Sequence, residues 1–171
     1  MSKKIRMVAI LLIVVVSMSA CKKSKEPNVS VQELIDSVAK QIAKDNNNAD
    51  ASSLDWNRID LSKEEGASLL EVMKMESKWV EEGIYFENAS NESSDRIILI
   101  KVKDDKDMSK VKKALEETKK SQESDWKEMK KEQYEKVKNG TIAIQGKYIM
   151  YIVYEDVSGI KKIVDDKLLE K

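Results

Sequence analysis

Apolar residues recur at intervals of three and four positions just after residue 30. Val31, Leu34, Ile35, Val38 and Ile42 would therefore share one face of a helix. Ser30 followed by Glu33 has the spacing of a capping box, in which each side chain bonds to the other residue's backbone N–H. The pattern predicts an amphipathic helix that begins after Ser30 and ends near Lys44. The asparagine-rich residues 45–53 are typical of a loop.

Two pairs of short apolar segments predict two β-hairpins. In the first pair, residues 84–86 and 96–103 flank a polar turn at residues 88–95. In the second pair, residues 141–145 and 148–155 flank Gly146 and Lys147. Each hairpin contributes two antiparallel strands.

Three further helices are predicted around these hairpins. A capping box at Ser62 and Glu65 precedes a short helix that contains residues 67–73. A long helix spans residues 107–138, is expected to break near residues 121–124, and ends at Asn139 and Gly140. A closing helix spans residues 157–168.

This order of elements predicts an α+β fold with a four-stranded antiparallel sheet. Two hairpins joined by a long helix form the sheet, and the helices pack on it. The second strand of each hairpin is apolar on both faces, so these two strands are expected at the centre of the sheet.

The last strand leaves two arrangements open. Tyr148, Met150, Ile152 and Tyr154 share one face of it, and the residues between them share the other. Helices on both faces would bury both rows in a closed core. Alternatively, Tyr148 and Tyr154 lie partly exposed, with Tyr85 or Phe86 nearby, as an aromatic interaction patch.

The first 20 residues have the pattern of a secretory signal peptide. Lys3, Lys4 and Arg6 precede an apolar segment at residues 7–16, and small residues follow. The apolar segment has about ten residues, whereas a membrane-spanning helix needs roughly 20. The predicted organisation is a signal peptide at residues 1–20, a stalk at residues 21–29 and a single α+β domain at residues 30–171.

Met18, Ser19, Ala20 and Cys21 resemble a bacterial lipobox, in which the cysteine is diacylated before the signal peptide is removed. A plain secretory signal with a chance cysteine is the alternative. Cys21 is the sole cysteine of the chain and has no partner for an internal disulfide, which favours lipidation. Two acyl chains suffice for stable anchoring where one chain is marginal. The protein is expected on the outer face of the cytoplasmic membrane.

Charge argues against nucleic acid as a partner. Loss of Lys3, Lys4 and Arg6 from the 31 basic residues leaves 28 against 31 acidic residues, so the mature chain is mildly acidic. Nucleic-acid-binding domains usually carry a strongly basic stripe. Lysines along the long helix could meet anionic phosphates, but they alternate with glutamates, as on a solvated helix face.

The chain contains no histidine, which removes the commonest general base and metal ligand. Ser37 and Lys40 have the spacing of serine acyl enzymes, although the other motifs of that class do not accompany them. Asp105 and Asp107 begin a partial calcium-loop pattern, but Lys110 stands where that loop needs glycine. No catalytic residue, metal site or cofactor is predicted.

Four segments together resemble a family of small Gram-positive bacterial lipoproteins classed as a domain of unknown function. They are residues 80–85, 95–103, 111–116 and 145–149, and the resemblance spans residues 80–169. It implies this architecture and lipidation, and it implies no active site.

The sequence therefore predicts a membrane-anchored, non-catalytic binding module of the cell envelope. Its partners would be the membrane, through the lipid, and an envelope protein or polymer. The alternative is an envelope enzyme that uses carboxylates alone, which would need paired acids converging in a cleft.

Overall fold

The computed structural model describes residues 28–170. The predicted signal peptide and Cys21 lie outside these residues. The helices and strands, in chain order, are α1 (Val31–Asp45), β1 (Trp56–Asp60), α2 (Ala67–Val72), β2 (Val80–Asn88), β3 (Arg96–Val102), α3 (Met108–Met129), α4 (Lys131–Asn139), β4 (Thr141–Gln145), β5 (Tyr148–Val153) and α5 (Val157–Leu169).

The strands form one antiparallel sheet in the order β1-β2-β3-β5-β4. Both predicted hairpins are present, as β2–β3 and β4–β5, and the two strands with apolar residues on both faces lie next to each other inside the sheet. Gly146 turns the second hairpin with a φ of +56°, a conformation that glycine adopts without strain. The prediction of an α+β fold with an antiparallel sheet is confirmed.

The predicted strand number was wrong, because the sheet has five strands rather than four. β1 pairs with β2 at the edge, and Trp56 lies opposite Asn88. With only five residues, of which Trp56 and Ile59 are the apolar ones and lie on opposite faces, β1 lacks the apolar alternation that identifies a strand in sequence.

Helices cover both faces of the sheet, as in the first of the two arrangements considered. α1 and α5 pack on one face, which we call the α1–α5 face, and Tyr148 and Tyr154 lie in its core. α2, α3 and α4 cover the α3–α4 face, where Tyr85 and Tyr151 are buried. The molecule therefore has three layers, with the sheet in the middle.

The long helix is broken at Lys130 and not at residues 121–124. Lys130 adopts an extended conformation between α3 and α4 (φ −153°, ψ 113°). Gln122 and Gln133, on the two sides of the break, both bond to Ser94 in the β2–β3 loop. These bonds fasten the two helices to one loop, and they depend on tertiary contacts that local sequence does not reveal.

The start of the domain also differs from the prediction. The Ser30 hydroxyl caps α1 by accepting from the Glu33 N–H at 3.1 Å, which is one of the two bonds of the predicted capping box. The predicted stalk ends earlier, however, because Val29 is buried and its carbonyl accepts a hydrogen bond from the Tyr148 hydroxyl at 2.6 Å. The Asn28 side chain accepts from Lys101 at 3.1 Å. Residues 28 and 29 therefore belong to the domain.

The predicted capping box at Ser62 and Glu65 does not form. The Ser62 N–H and hydroxyl both donate to the carboxylate of Asp60, at 2.9 and 2.5 Å. The Glu65 carboxylate accepts from the Asp60 N–H at 3.0 Å. The two side chains close the turn after β1, and α2 begins later, at Ala67.

Candidate functional site

The predicted aromatic patch is not exposed. The exposed fractions of Tyr85, Tyr148 and Tyr154 are 5%, 1% and 6%. Tyr148 and Tyr154 lie under α1 and α5, whereas Tyr85 lies on the opposite face of the sheet. The exposed alternative is contradicted because helices cover both faces of the sheet. Trp56 of β1 also packs on Phe86, with the ring centroids 4.6 Å apart.

Two side chains from the catalytic and calcium-loop patterns considered in the sequence make local contacts. The Ser37 hydroxyl donates to the Glu33 carbonyl within α1 at 3.0 Å. Asp107, at the start of α3, forms an ion pair with Lys110 at 2.7 Å. Residues 28–170 contain no cluster of three acidic side chains arranged to hold a metal ion. In the same residues, no helix is long and apolar enough to cross a membrane.

A polar groove lies where the helical cover of the α3–α4 face is incomplete. It is open between the C-terminal end of α2 and the middle of α3, and its volume is about 330 Å³. We call it the α2–α3 groove. Its polar lining residues are Lys74, Tyr85, Arg96, Glu117, Thr118, Ser121, Gln122 and Asp125.

The floor of the groove is a hydrogen-bonded triad from β2 and β3. Glu87 and Arg96 lie opposite each other in the hairpin. One oxygen of Glu87 accepts from Nη2 and Nε of Arg96, at 2.8 and 3.2 Å, and from the Tyr85 hydroxyl at 2.8 Å. The guanidinium also lies over the Tyr85 ring, 5.0 Å from its centroid. Burial raises the pKa of the Tyr85 hydroxyl well above its usual value, so this donor stays protonated.

The α2 side of the groove presents a lysine in a strained conformation. Lys74 has a φ of +54°, in the left-handed region that favours glycine. It follows α2 as a C-terminal cap, in which the Met75 N–H donates to the Leu70 carbonyl at 2.8 Å. The Lys74 side chain is 79% exposed, and its ammonium lies 3.6 Å from Glu117 across the groove.

The opposite wall is one face of α3. Glu117, Ser121 and Asp125 follow each other at intervals of four residues and therefore line up along the helix. Gln122 beside them is held by the Tyr151 hydroxyl, at 2.8 Å, and by the Ser94 carbonyl, at 2.9 Å. The wall is thus set by bonds to both the sheet and the β2–β3 loop.

This arrangement suits charged binding better than proton transfer. The groove offers the cations of Lys74 and Arg96 beside the carboxylates of Glu117 and Asp125. Those two carboxylates lie eight positions apart on α3, which places their Cα atoms about 12 Å apart along the helix axis. The third carboxylate, Glu87, is already bound to Arg96 and Tyr85.

Sequence reasoning missed the groove because three distant segments build it. The spacing of four between Glu117, Ser121 and Asp125 was the available signal, but the charged side chains of the long helix were interpreted only as a solvated face. The opposed pair Glu87 and Arg96 could have been found from the hairpin register.

Comparison with known proteins gives one family and no individual relative. The sequence profile described as Domain of unknown function (DUF4358) matches residues 52–154, more than half of the chain. The match runs from just before β1 to just after β5 and includes the whole groove. No curated protein and no solved structure matches the chain.

Proposed function

Because the chain belongs to the DUF4358 family, a domain of unknown function, we propose its function from its own residues. The protein is a lipoprotein held on the outer face of the cytoplasmic membrane through Cys21. Its domain is a non-catalytic module that binds an envelope protein or polymer in the α2–α3 groove. The observation that carries this proposal is the convergence of Lys74, Arg96 and Asp125 where the helical layer is open.

The conformation of Lys74 supports a binding role for its side chain. A non-glycine residue in the left-handed region costs about 1–2 kcal/mol relative to the usual conformation. Glycine would avoid this cost at the same helix end. A lysine here therefore lowers stability and places an exposed cation at the mouth of the groove. Strain of this kind tends to accumulate at functional sites.

The start of the domain supports a short tether. Asn28 and Val29 are bonded to Lys101 of β3 and Tyr148 of β5, so the anchoring segment joins the domain at the end of two inner strands. Asn28 lies seven residue steps after Cys21, and a chain of that length reaches at most about 25 Å. The domain would stay close to the membrane surface, and the groove on its other face would be accessible to envelope components.

The experiment that tests the groove replaces Lys74 with glycine. We expect Lys74→Gly to raise the free energy of unfolding by up to about 1 kcal/mol, measured by chemical denaturation, because it removes the strain. Asn47→Gly is the matched control. Asn47 also has a positive φ, of 55°, after a helix, but it lies at the end of α1 on the other side of the sheet.

Binding is measured by photo-cross-linking in cells that carry the full chain with a photoreactive amino acid at Ser121. The proposal predicts an adduct that Lys74→Gly weakens several-fold and Asn47→Gly leaves unchanged. A photoreactive residue at Lys162, on the exposed side of α5, reports non-specific neighbours. Adducts at Ser121 that match those at Lys162, or that Lys74→Gly does not affect, would refute binding in the groove.

A further inference from the structure

The strand β4 forms a free edge of the sheet. In residues 28–170 it pairs with β5 on one side, and no other strand lies on its outer side. Among residues 28–170, no backbone hydrogen bond of a turn or helix cap involves Thr141–Gln145. Every second peptide group of an edge strand points away from its neighbour, so β4 presents a row of unpaired donors and acceptors.

This edge lacks the protection that the other edge has. The side chains of β4 are Thr141, Ile142, Ala143, Ile144 and Gln145, with no charge and no proline, and Ile144 is 43% exposed. On the opposite edge, β1 carries Arg58, whose guanidinium pairs with Asp36 of α1 at 2.7 Å, and Asp60. Charged side chains at an edge normally prevent pairing with a second chain.

We propose that β4 pairs with β4 of a second copy of this chain in an antiparallel dimer. The sequence of the strand is self-complementary about its central residue. With Ala143 on the two-fold axis, Ile142 of each copy faces Ile144 of the other, and Thr141 faces Gln145. The two isoleucine pairs lie on one face of the joined sheet, and such a closed, symmetric interface is the commonest form of soluble oligomer.

The symmetry of this dimer is compatible with two anchors in one membrane, a point that rests on the proposed lipidation. The two-fold axis of an antiparallel edge pair is perpendicular to the sheet, so both copies present the same face to the same side. Val29, where the anchoring segment joins the domain, packs on the α1–α5 face. Both segments would then leave the dimer on the same side.

The pairing is tested by disulfide formation in the full chain with Ala143→Cys. Residues directly opposite each other in antiparallel strands have Cα atoms about 4.5–5.5 Å apart, within the range that a disulfide spans. We expect a covalent dimer on mild oxidation. Asn57→Cys, at an exposed position of β1, and the unchanged chain, which contains Cys21 alone, are the controls and should remain uncross-linked.

A second variant tests the pairing independently of any effect that the cysteine has on folding. Ile144→Lys introduces a charge opposite Ile142 of the partner copy, at a position that is already partly exposed. Sedimentation equilibrium of the unchanged full chain in detergent should show a dimer whose dissociation constant rises at least tenfold in Ile144→Lys. A monomer at every concentration would overturn the proposal. So would a dimer that Ile144→Lys does not weaken and that Ala143→Cys does not cross-link. The sedimentation measurement depends on neither the groove nor lipidation. In the disulfide test, the unchanged chain measures any cross-link that forms through Cys21 alone.

Discussion

Four of the five tyrosines lie in the two cores and donate hydrogen bonds within the fold. Tyr148 donates to the Val29 carbonyl, Tyr151 to Gln122 and Tyr154 to Asp45, while Tyr85 donates to Glu87 in the groove. Burial raises the pKa of each of these hydroxyls, that of Tyr154 to about 12. The folded state therefore retains these protons at pH values where the unfolded chain loses them.

We predict that the protein loses stability above about pH 10. Unfolded tyrosines ionise near that pH, whereas the buried ones remain neutral, so the unfolded state binds fewer protons. Stability from these residues is fully present below pH 10 and falls as the pH rises towards 12. Tyr154→Phe removes one such titrating group. The free energy of unfolding should therefore fall less steeply with pH, by the contribution of about one proton to the slope. Chemical denaturation between pH 9 and 12 measures it.

Trp56→Phe is the control for this prediction. It alters the ring that packs on Phe86 and lies near Tyr154 without removing a titrating group. It should lower stability at every pH and leave the slope unchanged. An equal slope in Tyr154→Phe and the unchanged chain would contradict the prediction.

At the scale of single residues, the sequence predicted which tyrosines share a face but not whether they are exposed. Alternation along β5 correctly placed Tyr148 and Tyr154 together. Their burial depends on α1, which lies far before β5 in sequence, and on α5, which follows β5. No local sequence pattern shows which face of the sheet a helix covers. The capping of α1 by Ser30 was predictable because both partners lie within three residues.

The helix pair α3–α4 is held by a chain of buried hydrogen bonds to two glutamine side chains. Tyr151 donates to Gln122, Gln122 donates to the Ser94 carbonyl, and the Ser94 hydroxyl and N–H donate to Gln133. Both glutamines are nearly fully buried, with exposed fractions of 3% and 7%. This network explains why the break falls at Lys130, since each helix must present its own glutamine to the same loop.

We expect Gln122→Met to lower the free energy of unfolding by at least about 2 kcal/mol, because the Tyr151 hydroxyl and the Ser94 carbonyl would both lose their partner. Adding Tyr151→Phe should then cost less than it does alone, since its donor is already unpaired, and the coupling energy should be about 0.5–3 kcal/mol. Gln41→Met, which affects an exposed side-chain bond on α1, should change stability by less than about 0.5 kcal/mol. Additive effects of Gln122→Met and Tyr151→Phe would contradict the network.

At the scale of the whole molecule, the two hairpins and the α+β class were predictable because turn residues and apolar runs lie close together in sequence. The edge strand β1 was not predictable, since Trp56 and Ile59 pack on different faces of the sheet. The groove was not predictable either, because Lys74, Arg96 and Asp125 meet only after α2 and α3 pack on the same face. The features proposed to act in binding are thus those that tertiary packing creates.

The proposed lipid anchor at Cys21 decides whether the groove lies in the cell envelope. Mass spectrometry of the N-terminal peptide from membranes of cells that produce the full chain tests it most directly. We expect a mature chain that begins at Cys21 with a diacylglyceryl group on its sulfur. The Cys21→Ser chain should keep residues 1–20, lack the lipid and leave the membrane fraction. A mature chain that begins elsewhere, a free thiol at Cys21, or equal processing and membrane retention of both chains would contradict it.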